Sequence, residues 1–361
     1  MKTTHLLKPA LLIVLAMLVL FSAIGCNQNS PTPPNQPGES NSGNTDNENT
    51  GHNDFEVVIT DHLNRQLTFD TPAENIVSGY YISSSMLMAL GLSDRVIGIE
   101  ARAETRPLYQ LAAPHFLDLP SIGSMRELDI EAIAALDPDL VVLSVRLKEA
   151  IEILESLNIP VLAIDPETTD RLFQAIDWIA QITDTVDRAE QLKAFHNQKM
   201  VDVADMLQGQ SPPTIYFAGN SDLLSTVSNQ MYQQIMIEQA GGISVSQDIN
   251  DTYWATISYE QLIAYNPDVI ILAPAATYSK EEVLDNVNLQ GITAIGNQRV
   301  YEMPYQIEAW DSPIPSGILG TLWLTSVLHD SVYSSDDFAA DATEFYEIFY
   351  DFTVDPAAFT Y

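Results

Sequence analysis

Apolar residues recur every three or four positions between Thr185 and Gln208, which is the spacing of one face of an α-helix. The hydroxyl and carboxyl oxygens just before it can cap its first turn, and Gly209 followed by Pro212-Pro213 ends it. At the rise of an α-helix, this segment spans on the order of 33 Å, the width of a small domain. The pattern predicts one long helix between two halves of the chain.

The two halves share one pattern of residues. The first copy runs from Asp129 to Ser144 and the second from Ser258 to Ala273, and the two match in character without a gap. Each copy contains a helix-capping residue, a glutamate two positions later, an amphipathic helix, an Asp/Asn-Pro-Asp turn and an apolar strand. The repeat predicts two similar lobes that the long helix joins.

Short apolar runs alternate with helical patterns on both sides of this helix. After a hairpin over Phe55 to Phe69, strands are predicted at Glu74 to Ser78, Arg95 to Ile99, Leu140 to Leu143, Val161 to Ile164, Thr214 to Phe217, Ile270 to Leu272 and Gln298 to Met303. Helices are predicted between them, at Met86 to Leu90, Ala150 to Leu157, Thr169 to Ile182, Met231 to Gln239, Gly317 to His329 and Phe338 to Phe352. The order predicts an α/β fold, with parallel-type sheets flanked by helices in each lobe.

The start of the chain predicts export. Lys2 and Lys8 give a positively charged start, an apolar run follows from Leu11 to Phe21, and mostly small residues then lead to Cys26. This is the only cysteine, so an intrachain disulfide is excluded. The segment resembles a bacterial lipoprotein signal, which implies that Cys26 becomes the lipid-modified first residue of the mature protein. An uncleaved membrane anchor is the alternative, and both place the chain outside the cytoplasmic membrane, at a cell surface or in a periplasm.

The domain organisation follows from these segments. Residues 27–54 are polar and rich in Asn, Ser, Pro and Gly, which predicts a disordered tether. We therefore expect a signal peptide over 1–26, the tether over 27–54, an N-terminal lobe over 55–183, the linker helix over 184–210 and a C-terminal lobe over 211–361.

The net charge of −34 and the sequence pI near 4.1 make nucleic acid a poor partner, because phosphate binding needs clustered Lys and Arg. Solubility outside the cell, or a salty habitat, accounts for such acidity. No later apolar run approaches the 18 residues of a membrane span.

Three segments follow one another near the start of the first lobe, Val58 to Arg65, Glu74 to Ser78 and Leu90 to Gly98, and the segment Leu136 to Val142 and the long helix come after them. The first three resemble the start of the binding proteins of iron–siderophore, haem and vitamin B12 importers, and the later two resemble the same family. The resemblance covers residues 55 to 350. It implies a monomeric, extracytoplasmic solute-binding protein of an ABC transporter, with two lobes, a rigid helical hinge and modest closure on the ligand. Its partners would be the permease and the ATPase.

Ligands of open α/β sheets bind beyond the carboxyl ends of the strands, so the loops there are the candidate site. The candidate residues are Tyr80, Tyr81, Arg102, Arg106, Arg126, Arg146, Asn220, Tyr253, Trp254, Tyr305, Glu308 and Trp310. Arginines suit carboxylate or oxyanion ligands, and the aromatic residues suit a flat or apolar chelate. Surface ion pairs and ordinary packing are the alternatives.

The repeat glutamates, Glu131 and Glu260, have a separate expected role. The resemblance implies that they meet arginines of the permease. The alternative is that both carboxylates simply interact with the helix dipole in the first turn.

No catalytic constellation is found. The six histidines show no metal-ligand spacing, and no nucleophile elbow, Walker loop or His-Glu-x-x-His motif is present. We therefore expect neither an enzyme nor a resident metal or cofactor. The expected function is capture of a metal chelate by a lipid-anchored receptor, with an iron–siderophore first and a corrinoid or haem second. An oxyanion-binding protein for molybdate or tungstate, or a surface sensor without transport, are the alternatives.

Overall fold

The computed structural model describes residues 55–250, 252–355 and 359. The predicted signal peptide, Cys26 and the tether lie outside these residues. Before the long helix the strands are β1 (Val57–Thr60), β2 (Gln66–Phe69), β3 (Ile76–Ser78), β4 (Val96–Gly98), β5 (Gly123–Ser124), β6 (Glu127–Leu128), β7 (Leu140–Ser144) and β8 (Val161–Ile164). The helices there are α1 (Tyr81–Ala89), α2 (Pro107–Ala112), α3 (Ile130–Ala135), α4 (Lys148–Ser156) and α5 (Thr169–Thr183).

The long helix α6 spans Val186–Met206, within the segment that the apolar spacing predicted. After it come the strands β9 (Thr214–Ala218), β10 (Ser225–Val227), β11 (Ile243–Ser244), β12 (Trp254–Thr256), β13 (Val269–Leu272) and β14 (Val300–Glu302). The helices are α7 (Tyr232–Gln239), α8 (Tyr259–Tyr265), α9 (Lys280–Leu284), α10 (Thr293–Gly296), α11 (Gly317–Leu328) and α12 (Ser335–Tyr350). None of the described helices is both long and apolar enough to cross a membrane.

The N-terminal lobe contains a four-stranded sheet in the order β4-β3-β7-β8, in which every pair is parallel. The strands β3, β7 and β8 are buried along their whole length, as expected for a parallel sheet with both faces covered. The hairpin β1–β2 forms as predicted and is fastened to β8 by Asp61, whose carboxylate accepts from the backbone N–H of Ala163 at 3.2 Å.

The C-terminal lobe contains a six-stranded sheet in the order β12-β10-β9-β13-β14, with β11 paired to β9. The strands β9, β13 and β14 are parallel, but β10 runs antiparallel to both β9 and β12. The parallel-type prediction is therefore incomplete for this lobe. The connection from Ala218 to Ser225 is too short for a crossover, so the chain must return antiparallel.

The sequence repeat corresponds to the same structure in both lobes. Asp129 and Ser258 cap α3 and α8 by accepting from the backbone N–H groups of Ala132 at 2.9 Å and Gln261 at 3.2 Å. A residue with positive φ follows each helix, Asp137 at 49° and Asn266 at 43°.

The aspartate that follows each proline of the repeat fixes the start of the neighbouring strand. Asp139 Oδ2 accepts from the backbone N–H groups of Glu74 and Asn75 at 3.0 and 2.8 Å, just before β3. Asp268 Oδ2 accepts from the N–H and the hydroxyl of Thr214 at 2.9 and 2.8 Å, at the first residue of β9. The repeat therefore encodes a helix start, a turn and the alignment of two parallel strands.

The two lobes share more than the long helix. One hydrophobic cluster includes buried residues of both lobes, among them Ile76 of β3 and Phe217 of β9. The C-terminal helix α12 packs on α11 and also on α1, where the hydroxyl groups of Tyr350 and Ser85 lie 3.1 Å apart. The connection is therefore broader than the single helix expected from the sequence.

Helix α1 begins at Tyr81, five positions before the predicted start. Ser83, Ser84 and Ser85, which precede the predicted start, are buried inside its first turns. Ser84 donates to Glu100 at 2.8 Å, and Ser83 donates to the backbone oxygen of Tyr80, the residue before the helix, at 2.8 Å. Short elements such as β10, β12 and α9 had no predicted counterpart.

Candidate ligand-binding cleft

A cavity of about 700 Å³ lies where the loops of the two lobes meet. The N-terminal lobe contributes loops after β3, β4, β7 and β8, and the C-terminal lobe contributes loops after β9, β13 and β14. Most of the predicted site residues line this cavity: Tyr80, Tyr81, Arg106, Arg146, Asn220, Tyr253, Trp254 and Tyr305. We call this cavity the cleft.

Close packing behind β3 sets the position of the tyrosine pair. The N–H of Gly79 donates to Val142 O of the neighbouring strand at 3.0 Å. A Cβ at Gly79 would lie only 2.1 Å from a methyl carbon of Leu143, so a larger residue would push this loop away from the sheet. The glycine thus lets Tyr80 and Tyr81 start α1 at the wall of the cleft.

Four predicted residues are placed elsewhere. Arg102 is exposed in a left-handed turn at φ 69°, and Arg126 is exposed in the tight turn between β5 and β6. Trp310 is only 1% exposed, because the loop after β14 folds inward and packs its indole against Phe338. Glu308 is buried behind the cleft in the same loop. These four residues were expected to line the cleft, and the structure places them outside its wall.

Other residues that line the cleft were not predicted as site residues: Met125, Ser144, Asp165, Pro166, Glu167, Met231, Tyr232, Gln233, Ala273, Ala275, Ala309, Asp311, Ser312 and Pro313. Asp165 and Glu167 directly follow β8, so the strand-end rule could have found them. Gln233 lies in the first turn of α7 and carries no such signal.

Arg106 lies between an aromatic ring and a buried acid. Its guanidinium carbon is 4.4 Å from the centre of the Tyr81 ring, and its Nε is 3.8 Å from Glu100 Oε1. Glu100 also accepts from the hydroxyl of Tyr109 at 2.6 Å. Burial raises the pKa of Glu100, and these partners oppose that rise. The arrangement fixes the arginine while leaving its positive charge at the cleft.

Arg146 is the more exposed cation. Its Nη2 donates to Glu167 Oε1 at 2.9 Å, and its guanidinium carbon lies 5.6 Å from the ring centre of Tyr253 in the other lobe. Burial raises the pKa of Glu167, and Arg146 counteracts the rise. This arginine can exchange the partly buried carboxylate of Glu167 for a ligand oxyanion.

Polar contacts cross the cleft at its base. The hydroxyl of Tyr81 donates to Ser312 Oγ at 3.0 Å, and the N–H of Leu108 donates to Ile307 O at 3.2 Å. These contacts join α1 and α2 of one lobe to the loop after β14 of the other. The base of the cleft is therefore built from both lobes at once.

Two carboxyl groups in this loop have perturbed acidity. Burial raises the pKa of Glu308 to about 7, against hydrogen bonds from Ser316 and Ser85 that lower it. Burial also raises the pKa of Asp311 to about 6, although a hydrogen bond from Gln233 Nε2 at 3.1 Å lowers it.

Among the described residues there is no cluster of three or more His, Cys, Asp or Glu side chains that could hold a metal ion.

The repeat glutamates lie on the surface. Glu131 and Glu260 are both exposed in the first turns of α3 and α8. The pKa of Glu260 is lowered by its hydrogen bond to the backbone of the first turn and by Ser258. Neither carboxylate lines the cleft, so both are free to meet another protein.

Two α/β lobes, joined by one long helix around a cleft of strand-end loops, define a two-lobed solute-binding protein. The sequence profile of periplasmic binding proteins matches residues 76–307, so the chain belongs to the periplasmic binding protein family. The family resemblance and the two-lobed α/β fold expected from the sequence are both confirmed.

The chain is 25% identical over 321 residues to the molybdate-binding protein MolA of Haemophilus influenzae, covering 81% of this chain and 90% of that protein. The crystal structure of MolA with molybdate has a TM-score of 0.73 over 83% of this chain and 99% of that one, at 23% identity. A periplasmic solute-binding protein from Veillonella parvula has a TM-score of 0.74 at 22% identity, over 84% and 95%. The vitamin B12-binding protein of Yersinia pestis is 23% identical over 218 residues, 60% of this chain and 73% of that protein.

Proposed function

We propose that this chain is the extracytoplasmic receptor of an ABC importer, and that it captures a metal chelate in the cleft and delivers it to the permease. Family membership supports the receptor role. The identity of the ligand is a more specific proposal: an iron–siderophore is our first choice, and a corrinoid or haem is the second. The proposed regions remain a tether over 27–54, lobes over 55–183 and 211–361, and a linker helix over 184–210.

The observation that carries the chelate proposal is the size and lining of the cleft. Small-molecule sites commonly have volumes of about 300–1,000 Å³, and the cleft, at about 700 Å³, is large within that range. Rings of Tyr80, Tyr253, Trp254 and Tyr305 line it together with two arginines. An anion of four oxygens would contact only part of this wall, whereas a chelate with flat organic groups would contact both the rings and the guanidinium groups.

A small oxyanion is the second candidate, and one comparison favours it. A relative that covers 81% of this chain at 25% identity is named for molybdate binding. Arg106 and Arg146 would serve an oxyanion through their planar, forked donors. In this case the aromatic residues would be a surrounding wall rather than the main contact surface.

Tryptophan fluorescence provides the test. Residues 52–361 form one compact unit and can be titrated with ferric siderophores, haemin, cobalamin, molybdate and tungstate. Of the four tryptophans, only Trp254 lines the cleft, and it is 40% exposed, whereas the other three, Trp178, Trp310 and Trp323, are at most 8% exposed. A ligand should therefore alter mainly the Trp254 signal. A Trp254→Phe variant is the control, and its signal should remain flat.

The outcomes separate the candidates. Saturable quenching by one chelate at submicromolar concentration would support the favoured proposal. Saturation by molybdate or tungstate alone would replace it with the second candidate. If no compound changes the fluorescence or is retained by the protein in equilibrium dialysis, neither a chelate nor an oxyanion is the ligand. A surface sensor without transport then becomes the better proposal.

The anchor and the docking residues are proposed on the sequence. We propose that Cys26 carries a lipid, which holds the receptor at the outer face of the cytoplasmic membrane. A Cys26→Ser variant should leave the membrane fraction, while retention in that fraction would favour an uncleaved anchor. We further propose that Glu131 and Glu260 contact the permease, since both are exposed in matching positions of the repeat.

A further inference from the structure

Three polar atoms of cleft residues have no hydrogen-bond partner among the described residues: Tyr80 Oη, Arg106 Nε and Gln233 Oε1. Tyr80 and Gln233 are each only 6% exposed. Burial of a polar atom without a partner is unfavourable, and such atoms in a binding protein are candidates for ligand contacts. A ligand that satisfies these three atoms would have to supply a hydrogen-bond partner for each of them.

The hydrogen bond that Gln233 makes to Asp311 determines which kind of partner its unpartnered oxygen, Oε1, requires. Its Nε2 donates to Asp311 Oδ2 at 3.1 Å. An ionised carboxylate only accepts hydrogen bonds, so the amide must present its nitrogen to Asp311 and cannot turn it elsewhere without losing that bond. The remaining atom, Oε1, is an acceptor, and it needs an N–H or O–H group from its partner.

The N-terminal lobe offers the opposite chemistry. Arg106 Nε is a donor that lies 3.8 Å from Glu100 Oε1, beyond hydrogen-bond distance. The hydroxyl of Tyr80 can donate as well. Among the residues that line the cleft, the N-terminal lobe thus holds two unpartnered groups that can donate, and the C-terminal lobe holds an unpartnered acceptor on α7.

We infer that the ligand of the cleft carries both an oxygen acceptor for Arg106 and Tyr80 and an N–H or O–H donor for Gln233 Oε1. Gln233 is then a specificity-determining residue, and chelates with amide, amine or hydroxyl hydrogens bind in preference to bare oxyanions. This inference rests on the proposed receptor function and narrows its ligand class.

The chain contains a matched control next to this residue. Gln234 lies on the same helix, is 4% exposed and also has an unpartnered Oε1, while its Nε2 donates to Glu238 at 2.8 Å. It does not line the cleft. Gln233→Met and Gln234→Met therefore remove the same groups at nearly equal burial, and only the first changes the proposed site.

The experiment compares probes with and without hydrogen-bond donors at pH 7.5. Ferric desferrioxamine B and cyanocobalamin carry N–H groups, whereas molybdate and cobalt(III)–EDTA carry no N–H or O–H. Calorimetric titration should show that Gln233→Met weakens binding of a donor-bearing chelate by about tenfold, the loss of one good hydrogen bond. Gln234→Met should leave that affinity within about twofold of the wild-type value.

A second variant guards against a folding defect in Gln233→Met. Tyr80→Phe removes only a hydroxyl and should weaken binding of the same chelate by a similar factor, since the ligand then loses one hydrogen bond. Melting curves of the apo-proteins show whether Gln233→Met and Gln234→Met are equally folded.

Three other outcomes would overturn the inference that Gln233 accepts a hydrogen bond from the ligand. If a donor-bearing chelate binds all the variants equally, Gln233 is not a ligand contact, and the receptor proposal stands. If the wild type binds only molybdate or cobalt(III)–EDTA, the donor requirement is wrong, and the receptor proposal also stands. If no probe binds, the chelate proposal falls together with the inference.

Discussion

Replacing Glu308 with glutamine should remove a pH-dependent cost from the folded protein. Glu308 is 8% exposed, and its carboxyl group accepts hydrogen bonds from Ser316 and from Ser85, the latter at 3.4 Å. Burial raises its pKa from 4.5 to about 7. A glutamine has nearly the same shape and remains neutral, so it should fit the same site without a charge to desolvate.

The direction of the effect follows from the protons bound in each state. Between pH 4.5 and about 7 the folded protein holds a proton on Glu308 that the unfolded chain has released. The contribution of Glu308 to stability is therefore fully present below this window, falls as the pH rises through it, and changes no further above it. The shift corresponds to about 3 kcal/mol at about 1.36 kcal/mol per pH unit.

Urea unfolding of residues 52–361 at pH 5 and pH 8 tests this prediction. The difference in unfolding free energy between Glu308→Gln and wild type should move by about 2–3 kcal/mol in favour of the variant, since part of the window lies below pH 5. Taking this difference cancels the general repulsion expected from a net charge of −34. Glu131→Gln, at an exposed position, is the control and should show no such movement. A difference for Glu308→Gln that stays constant with pH would refute the reasoning.

Three further predictions concern the cleft, the docking surface and the core. Arg106→Met should weaken the binding of an anionic ligand by about 1.5–3 kcal/mol in calorimetric titrations, because a hydrogen bond to a charged group is lost. Arg102→Met, outside the cleft, should leave the binding free energy unchanged. Reversing both charges with Glu131→Lys and Glu260→Lys should abolish uptake of labelled ligand by cells and leave the affinity of the isolated protein unchanged. Trp310→Ala should lower the unfolding free energy by about 3–5 kcal/mol in urea, because it leaves a cavity beside buried aromatic rings.

Each of these predictions has a contrary result. Equal losses for the two arginine variants would point to general electrostatic attraction rather than a contact at the cleft. Loss of ligand affinity in the double charge reversal would assign the glutamates to binding or folding. A Trp310→Ala protein of normal stability that no longer binds ligand would return this residue to the binding site.

The fold was largely predictable, because its strongest signals are local and repeated. A helix cap, a helix, an Asp/Asn-Pro-Asp turn and a buried strand occur twice in the same order, and each has its own short-range chemistry. The strands β10 and β12, by contrast, have only three residues each, too few for a pattern, and their pairing depends on the length of a loop. Tertiary contacts also moved the start of α1, since Ser84 and Ser85, inside the helix, donate to the buried acids Glu100 and Glu308.

The site was predictable where it follows from topology. Residues just after parallel strands, such as Tyr80 and Arg146, lie in the cleft because strand ends share one edge of each sheet. The long loop after β14 obeys no such rule, and its Trp310 turns into the core although the sequence gives no periodic signal there. Gln233 was missed for a different reason: it is a helical residue whose importance lies in an atom left without a partner.

The shared hydrophobic core of the two lobes has a kinetic consequence. Wide opening of the cleft would expose apolar surface that α12 and the loop after β14 keep covered, so the empty receptor must already resemble the loaded one. A ligand then orders few additional groups when it binds, and it meets a site that needs little rearrangement. Encounter by diffusion therefore sets the association rate, and differences between ligands should be found in how long each one stays.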